Sequence, residues 1–138
     1  MTMSDELITL SRYFIWADTM KRHFEETLRK SGSVDLNGPR GIDVAMYMCL
    51  WYGCLYVVVE AWRELGLRDQ EVDNLLTSPH VDLLRRYRNA VFHYQKEYWP
   101  ERFMAFLREG EDSASWVRAV HNALQRYLTD FLNAPKEV

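Results

Sequence analysis

Hydrophobic residues recur at intervals of three and four along most of the chain, which is the spacing of an amphipathic α-helix. The first such segment predicts a helix over residues 5–30, with apolar positions at Leu7, Leu10, Phe14, Ala17, Phe24 and Leu28. Glycine, serine, asparagine and proline then crowd residues 31–41, so we expect a loop there. A nearly continuous apolar run over residues 45–59 lies within a second predicted helix, residues 42–66, and indicates the centre of a bundle.

The second half of the chain predicts two more long helices and two short ones. A short helix is expected near residues 69–76, followed by a turn. A long helix over 80–95 carries an apolar stripe of Leu83, Leu84, Tyr87, Val91 and Tyr94. Pro100 suits the first turn of another short helix, and the last long helix is expected over 113–132. These elements predict an all-α bundle of four long helices with short inserted helices, folded as a single domain over residues 1–138.

Charge and targeting signals narrow the function classes. The net charge is −3, whereas proteins that coat nucleic acids nonspecifically usually have a basic balance. The N-terminal sequence MTMSDELITL contains no export or transit signal, so we expect a cytoplasmic protein. The apolar run over residues 45–59 is shorter than the roughly 20 residues needed to cross a bilayer, so we expect no membrane partner.

The cysteines and histidines form no recognisable metal or disulfide pattern. Cys49 and Cys54 lie five residues apart, which turns two side chains away from each other on a helix, so we expect two small buried hydrophobic residues. The four histidines are scattered, without an H-E-x-x-H motif or a Cys/His cluster. The sequence also lacks a phosphate-binding glycine loop and a G-x-S-x-G nucleophile elbow. We therefore expect no metal and no other cofactor.

The stretch LLRRYRNAVFHYQKEYW, residues 83–99, adds polar residues of catalytic type to a helical pattern. Residues 83–96 contain no acid and four cations, Arg85, Arg86, Arg88 and Lys96. Of these, Arg85, Arg86 and Lys96 are candidates for contact with an RNA backbone. The sequence RNAVFH, from Arg88 to His93, resembles the motif of HEPN domains, which are small all-α ribonucleases and their relatives. They are marked by R-x(4 to 6)-H with a polar residue after the arginine, which here is Asn89.

The resemblance implies a metal-independent endoribonuclease. In that reaction a base takes the proton of an RNA 2′-hydroxyl, and the oxygen attacks the adjacent phosphorus to leave a 2′,3′-cyclic phosphate and a 5′-hydroxyl. His93 is the candidate base, because imidazole in general has a pKa of about 6.5 and transfers protons near neutral pH. Arg88 offers a fork of donors that matches phosphate oxygens. Asn89, one turn before His93, can orient the imidazole or contact the phosphate.

The geometry of one helix raises a question of assembly. Arg88 and His93 are about 140° apart around an ideal helix, so one narrow face does not hold both. The reach of arginine, a frayed helix end or a groove shared by two subunits would bring them together, and the HEPN resemblance implies a homodimer. The second helix carries more aromatic surface than one core is expected to use, which suggests an interface around Tyr47, Trp51, Tyr52 and Tyr56.

The resemblance also suggests a toxin or defence effector that is controlled by an antitoxin or another regulatory protein. HEPN toxins paired with a nucleotidyltransferase antitoxin carry a tyrosine two residues after the histidine. Here that position is Gln95, and Tyr94 stands one residue earlier. Regulation by tyrosine adenylylation is therefore not expected.

Structural interpretations of the same residues stay open at this stage. Arg88 can cap helix carbonyls, His93 can be satisfied inside the bundle, and Tyr94 is expected in the core more than in a site. Glu60 ends the apolar run and is expected either to pair with Arg88 or to mark where the helix reaches the surface. The alternative function is a noncatalytic HEPN-like dimer that binds RNA or a protein partner through the same positive region.

Overall fold

Most of the described chain is helical. The structure is a computed structural model that describes residues 3–31 and 38–134. Side chains are described for residues 5–30 and 38–134. The elements within these ranges are α1 (Met3–Ser31), α2 (Pro39–Glu64), α3 (Gln70–Leu75), α4 (His80–Phe92), α5 (Glu101–Leu107) and α6 (Glu111–Asn133). No strand occurs in the described ranges. The prediction of an all-α bundle of four long helices with short inserted ones is confirmed.

The core is built around α2, which packs against α1 and α4. Three of the aromatic side chains that we assigned to a subunit interface, Trp51, Tyr52 and Tyr56, are at most 5% exposed within the single chain. Trp51 meets Phe24 of α1, and Tyr52 meets Tyr87 of α4. The prediction that α2 carries surplus aromatic surface is therefore wrong for these three, because the other helices of the bundle already cover them.

The length of α2 also differs from that of the apolar run over residues 45–59, which was judged too short to cross a bilayer. The helix spans 26 residues, Pro39–Glu64, and not only the apolar run, so by length and composition it could cross a membrane. Ten of its residues are buried within the bundle. Burial in the core therefore accounts for much of its apolar composition.

The end of α4 differs from the prediction. The helix stops at Phe92, three residues before the predicted end, and His93 adopts an extended backbone with φ −124° and ψ 136°. The ring of Phe92 lies over Gly53 of α2, where an added Cβ would be only 3.0 Å from the ring. Tyr94 is 92% exposed, so its predicted place on the core stripe is wrong. The apolar stripe of α4 therefore ends with the helix and does not include Tyr94.

Side-chain oxygen atoms contact backbone N–H groups at the starts of two helices. Asp69 caps α3, where its carboxylate accepts a hydrogen bond from the backbone N–H of Val72 at 3.0 Å. The hydroxyl oxygen of Ser78 accepts a bond from the backbone N–H of His80 at 3.1 Å, just before α4. These contacts fix the turn that directs α4 back across α2.

Candidate functional site

Arg88 projects from α4 toward α2 and contacts three side chains. Its Nη2 donates to Oε2 of Glu60 at 3.3 Å, and its Nε donates to Oδ1 of Asn89 at 2.9 Å. The guanidinium also lies 4.7 Å from the ring centre of Tyr56, within the range of a cation–π contact. The Arg88 side chain is 18% exposed. The predicted ion pair between Glu60 and Arg88 is confirmed.

These contacts leave part of the guanidinium available. Among the described residues, the hydrogen bonds of Arg88 involve Nε and Nη2, so Nη1 keeps its two N–H donors. Burial is the main cause that raises the pKa of Tyr56, with a further contribution from the Glu60 carboxylate. The phenol beneath the guanidinium therefore stays neutral at cellular pH. Arg88 is consequently a fixed cation with one edge free to meet an anion.

Asn89 has a different partner from the one that its spacing suggested. Its side-chain oxygen accepts from Arg88, and within the described residues no hydrogen bond joins it to His93. In this structure the amide orients the guanidinium and not the imidazole. The amide nitrogen of Asn89 remains able to donate to a ligand.

His93 is the first residue beyond α4, and its side chain is exposed. Its backbone carbonyl accepts a hydrogen bond from Nε2 of Gln95 at 3.0 Å. The imidazole has no hydrogen-bond partner within the described ranges. An angle of about 140° between Arg88 and His93 was expected for an ideal helix. Because α4 ends at Phe92, this angle does not determine where the His93 side chain points.

The positive region around the motif is partly neutralised by acids from outside residues 83–96. Arg85 donates two hydrogen bonds to Asp82, at 2.7 and 3.1 Å, and this bonding raises the pKa of Arg85. Arg86 is half-buried and helps to lower the carboxyl pKa of Glu101, although a hydrogen bond from Arg108 is the larger cause. Lys96 is exposed, and no ion pair holds it within the described residues. Of the three predicted RNA contacts, Lys96 therefore has the most accessible charge.

Several residues close to His93 in the sequence carry exposed aromatic rings. Four of the eight residues 92–99 are aromatic, and all four are exposed: Phe92, Tyr94, Tyr98 and Trp99. Aromatic rings on a surface are what proteins use to stack unpaired nucleic-acid bases. Tyr94, expected in the core, thus lies in solvent next to the candidate base.

Comparison with known proteins adds no family to this description. No family model, curated protein or solved structure matches the chain. Function is therefore argued from the RNAVFH motif, the helical architecture and the geometry at the end of α4.

The sequence did not predict a buried polar cluster around His121. His121 of α6 is fully buried; its Nδ1 accepts from Nε1 of Trp51 at 3.1 Å, and its Nε2 lies 3.0 Å from Oδ1 of Asp18. Because Trp51 can only donate, Nε2 must carry the imidazole proton and donate it to Asp18. No local spacing reveals this cluster, since its members are up to 103 residues apart.

The described residues form no metal-binding cluster of three His, Cys, Asp or Glu side chains. Both cysteines are free thiols, as the five-residue spacing predicted, but they are half-buried and not fully buried. The thiol of Cys49 lies 3.1 Å from the hydroxyl of Tyr87. The chemistry available at the end of α4 is thus that of one cation, one amide and one exposed imidazole.

Proposed function

We propose that this chain is a metal-independent, HEPN-like endoribonuclease. The observation that supports it best is the end of α4, where Arg88 is fixed with one edge free and His93 stands exposed just beyond the helix. RNA transesterification requires a base and a cation that stabilises the phosphate charge, and His93 and Arg88 are of these two types. The motif between them is the one that resembles HEPN domains.

In the proposed reaction His93 accepts the proton of a 2′-hydroxyl. The 2′-oxygen then forms a bond to the adjacent phosphorus while the bond from phosphorus to the 5′-oxygen breaks. Arg88 stabilises the negative charge that builds on the nonbridging oxygens, and Asn89 holds the guanidinium in place. The leaving 5′-oxygen takes a proton from a second imidazole or from water. The products are a 2′,3′-cyclic phosphate and a 5′-hydroxyl.

We extend the proposal to a homodimer, in which the two α4 ends line one groove. A second copy would supply the second imidazole that the leaving group needs. The aromatic side chains of α2 no longer argue for this interface, since the core uses them. The exposed residues Phe92 and Tyr94, beside His93, now favour it or a stack with RNA bases. A cytoplasmic toxin or defence effector, held in check by an antitoxin or other regulatory protein, is the role that suits such an enzyme.

The second candidate is a noncatalytic HEPN-like module that binds RNA or a protein partner. One observation favours it: Arg88 is only 18% exposed and already has contacts with Glu60, Asn89 and Tyr56, as a structural arginine would. The two candidates differ in whether bound RNA is cut.

A cleavage assay with matched variants distinguishes the candidates. Purified protein is incubated with total RNA in EDTA after exhaustive dialysis, and the 3′ ends of the products are analysed for cyclic phosphate. We expect His93→Ala and Arg88→Ala each to lower the rate on the order of 100-fold or more. Arg29→Ala and His23→Ala, which change the same residue types at exposed positions of α1, should change it little. Circular dichroism checks that all four fold.

Three results would contradict the proposed activity or a part of its mechanism. RNA that is shifted but never cut supports the binding module. A strict requirement for Mg²⁺ overturns the metal-independent mechanism. A pH profile of cleavage that keeps its neutral titration in His93→Ala removes His93 from the role of base. Light scattering that gives an active monomer of 16.5 kDa would refute the shared groove alone.

A further inference from the structure

A second candidate site lies between α2, α4 and α5, and it shares Tyr98 and Trp99 with the exposed aromatic residues near His93. It is a cavity of about 480 Å³, within the size range of ligand sites in proteins. Its walls come from the first half of α2, from Tyr87 and Phe103, and from the connection that carries Tyr98 and Trp99. Arg88, Asn89 and His93 do not line it. The cavity therefore needs an explanation that the proposed ribonuclease does not give.

The lining excludes a charged or strongly polar occupant. Among the residues that the structure describes, no acidic or basic side chain lines the cavity. The polar groups of its described lining are the Cys49 thiol, the hydroxyls of Tyr87 and Tyr98 and the indole N–H of Trp99, and the first two already bond to each other at 3.1 Å. Burial raises the pKa of Cys49, and it raises the pKa of Tyr87 well above the usual range, so both stay neutral. A nucleobase would leave most of its polar atoms unsatisfied here.

The mouth of the cavity carries hydrophobic side chains that water contacts. Ile42 is 59% exposed and Met46 is 46% exposed, both on α2. Met46 and Met48 also line the walls, and methionine adapts its shape to apolar ligands. The surface around this opening is thus apolar from the rim inward.

The shape of the cavity argues against a partner helix. Its lining includes Tyr87 of α4 together with side chains of α2 and α5, so it is a recess between three helices. An α-helix with its side chains is about 10 Å wide and covers a surface without entering such a space. An extended hydrocarbon chain is narrow enough to enter.

We infer that this cavity binds the alkyl chain of a small amphiphile that is uncharged or has a single polar head group. The polar end of the ligand lies at the solvent-exposed mouth beside Ile42 and Met46. The inference is independent of the proposed ribonuclease activity. It rests on the apolar walls, the buried neutral floor and the exposed hydrophobic rim.

Two isoleucines on different helices provide a matched test. Ile42 and Ile8 are 59% and 56% exposed, but only Ile42 lines the cavity. The full chain is titrated with the uncharged fluorescent probe N-phenyl-1-naphthylamine, which is then displaced by 1-decanol. We expect one saturable site per chain, at least tenfold weaker in Ile42→Glu and within twofold of native in Ile8→Glu. Ala45→Leu, which fills the cavity with an apolar group, should weaken binding at least fivefold with folding intact.

Several outcomes would overturn the inference. They are the absence of saturable binding, equal loss in Ile42→Glu and Ile8→Glu, and displacement of the probe by adenosine monophosphate. Light scattering on the same samples tests a second copy: if decanol splits a dimer, the occupant is another chain. If phosphatidylcholine vesicles displace the probe and decanol does not, the cavity faces a bilayer.

Discussion

Arg88 uses its Nε and Nη2 groups for hydrogen bonds within the described residues and keeps other N–H donors for a ligand. The Glu60 carboxylate, about half exposed, occupies Nη2 and competes there with a phosphate. An ion pair this open contributes only about 0–1 kcal/mol to folding. The pair is therefore easy to break without unfolding the chain, and in the proposed ribonuclease it would compete with RNA phosphates for Arg88.

We expect Glu60→Gln to tighten RNA binding two- to tenfold, because it keeps the shape of the side chain and removes the competing charge. Binding of a labelled single-stranded RNA is measured by anisotropy in a His93→Ala background, which prevents cleavage. The slope of log K against log salt should steepen by about 0.7, the increment for one more phosphate contact on a single strand. Glu64→Gln, one turn later on the same helix, is the control for general charge. Equal effects of the two variants, or weaker binding in Glu60→Gln, would contradict this expectation.

Single residues also show which side-chain contacts the sequence could predict. The sequence offered the pairing of Glu60 with Arg88 as one of two alternatives, and the structure shows the ion pair. The contact between Asn89 and Arg88 was not predicted, since i, i+4 spacing pointed to His93. Adjacent side chains on a helix rarely face each other, but arginine is long enough to fold back on its neighbour.

At the scale of elements, periodicity predicted the helices of the described ranges but not all of their ends. The helix α2 begins at Pro39, inside the loop predicted over residues 31–41, most of which lies outside the described residues, and α4 ends earlier than predicted. The stripe of residues 83–94 continues in sequence to Tyr94, while the helix stops at Phe92, whose ring packs on Gly53 of α2. Such a stop depends on which residue of another helix lies opposite. One sequence without its fold does not contain that information.

The contact between Gly53 and Phe92 can be measured with a double-mutant cycle. Alanine is favoured over glycine inside a helix by about 1 kcal/mol. We expect Gly53→Ala to gain this stability in a Phe92→Ala background, where the new methyl group has room. In the native background the gain should be smaller, because the ring 3.0 Å from the new Cβ must move. Urea denaturation of the four proteins gives the coupling, and a value below about 0.3 kcal/mol would mean that the ring moves freely.

At the scale of the whole molecule, one polar cluster joins three helices through the core. Asp18 of α1, Trp51 of α2 and His121 of α6 are linked by two hydrogen bonds, and Arg22 pairs with Asp18 at 3.2 Å on the outside. Residue spacing predicted the helices and their apolar faces, so the bundle itself followed from the sequence. Which polar residues meet inside it depends on the packing of helices that are far apart in the chain.

This cluster makes stability depend on pH. Burial is the main cause that lowers the pKa of His121 below its usual 6.5, against the opposing effect of Asp18. A proton added at Nδ1 would also face the N–H of Trp51 and break that bond. The unfolded chain therefore binds this proton more readily than the folded one. The contribution of His121 to stability is complete above about pH 6.5 and is lost as the pH falls from there through the lowered folded-state pKa.

We expect the free energy of unfolding to fall with pH below about 6.5, with His121 contributing at most about 1.4 kcal/mol per pH unit. His121→Gln should remove that contribution, because a neutral amide can accept from Trp51 and donate to Asp18 but does not titrate. It should cost about 1–3 kcal/mol at pH 7.5, since glutamine fits the two bonds less well. His23→Gln, at an exposed position of α1, should keep the native slope. Urea denaturation of the three proteins from pH 7.5 to 5 measures this, and an unchanged slope in His121→Gln would show that other groups set the acid sensitivity of the bundle.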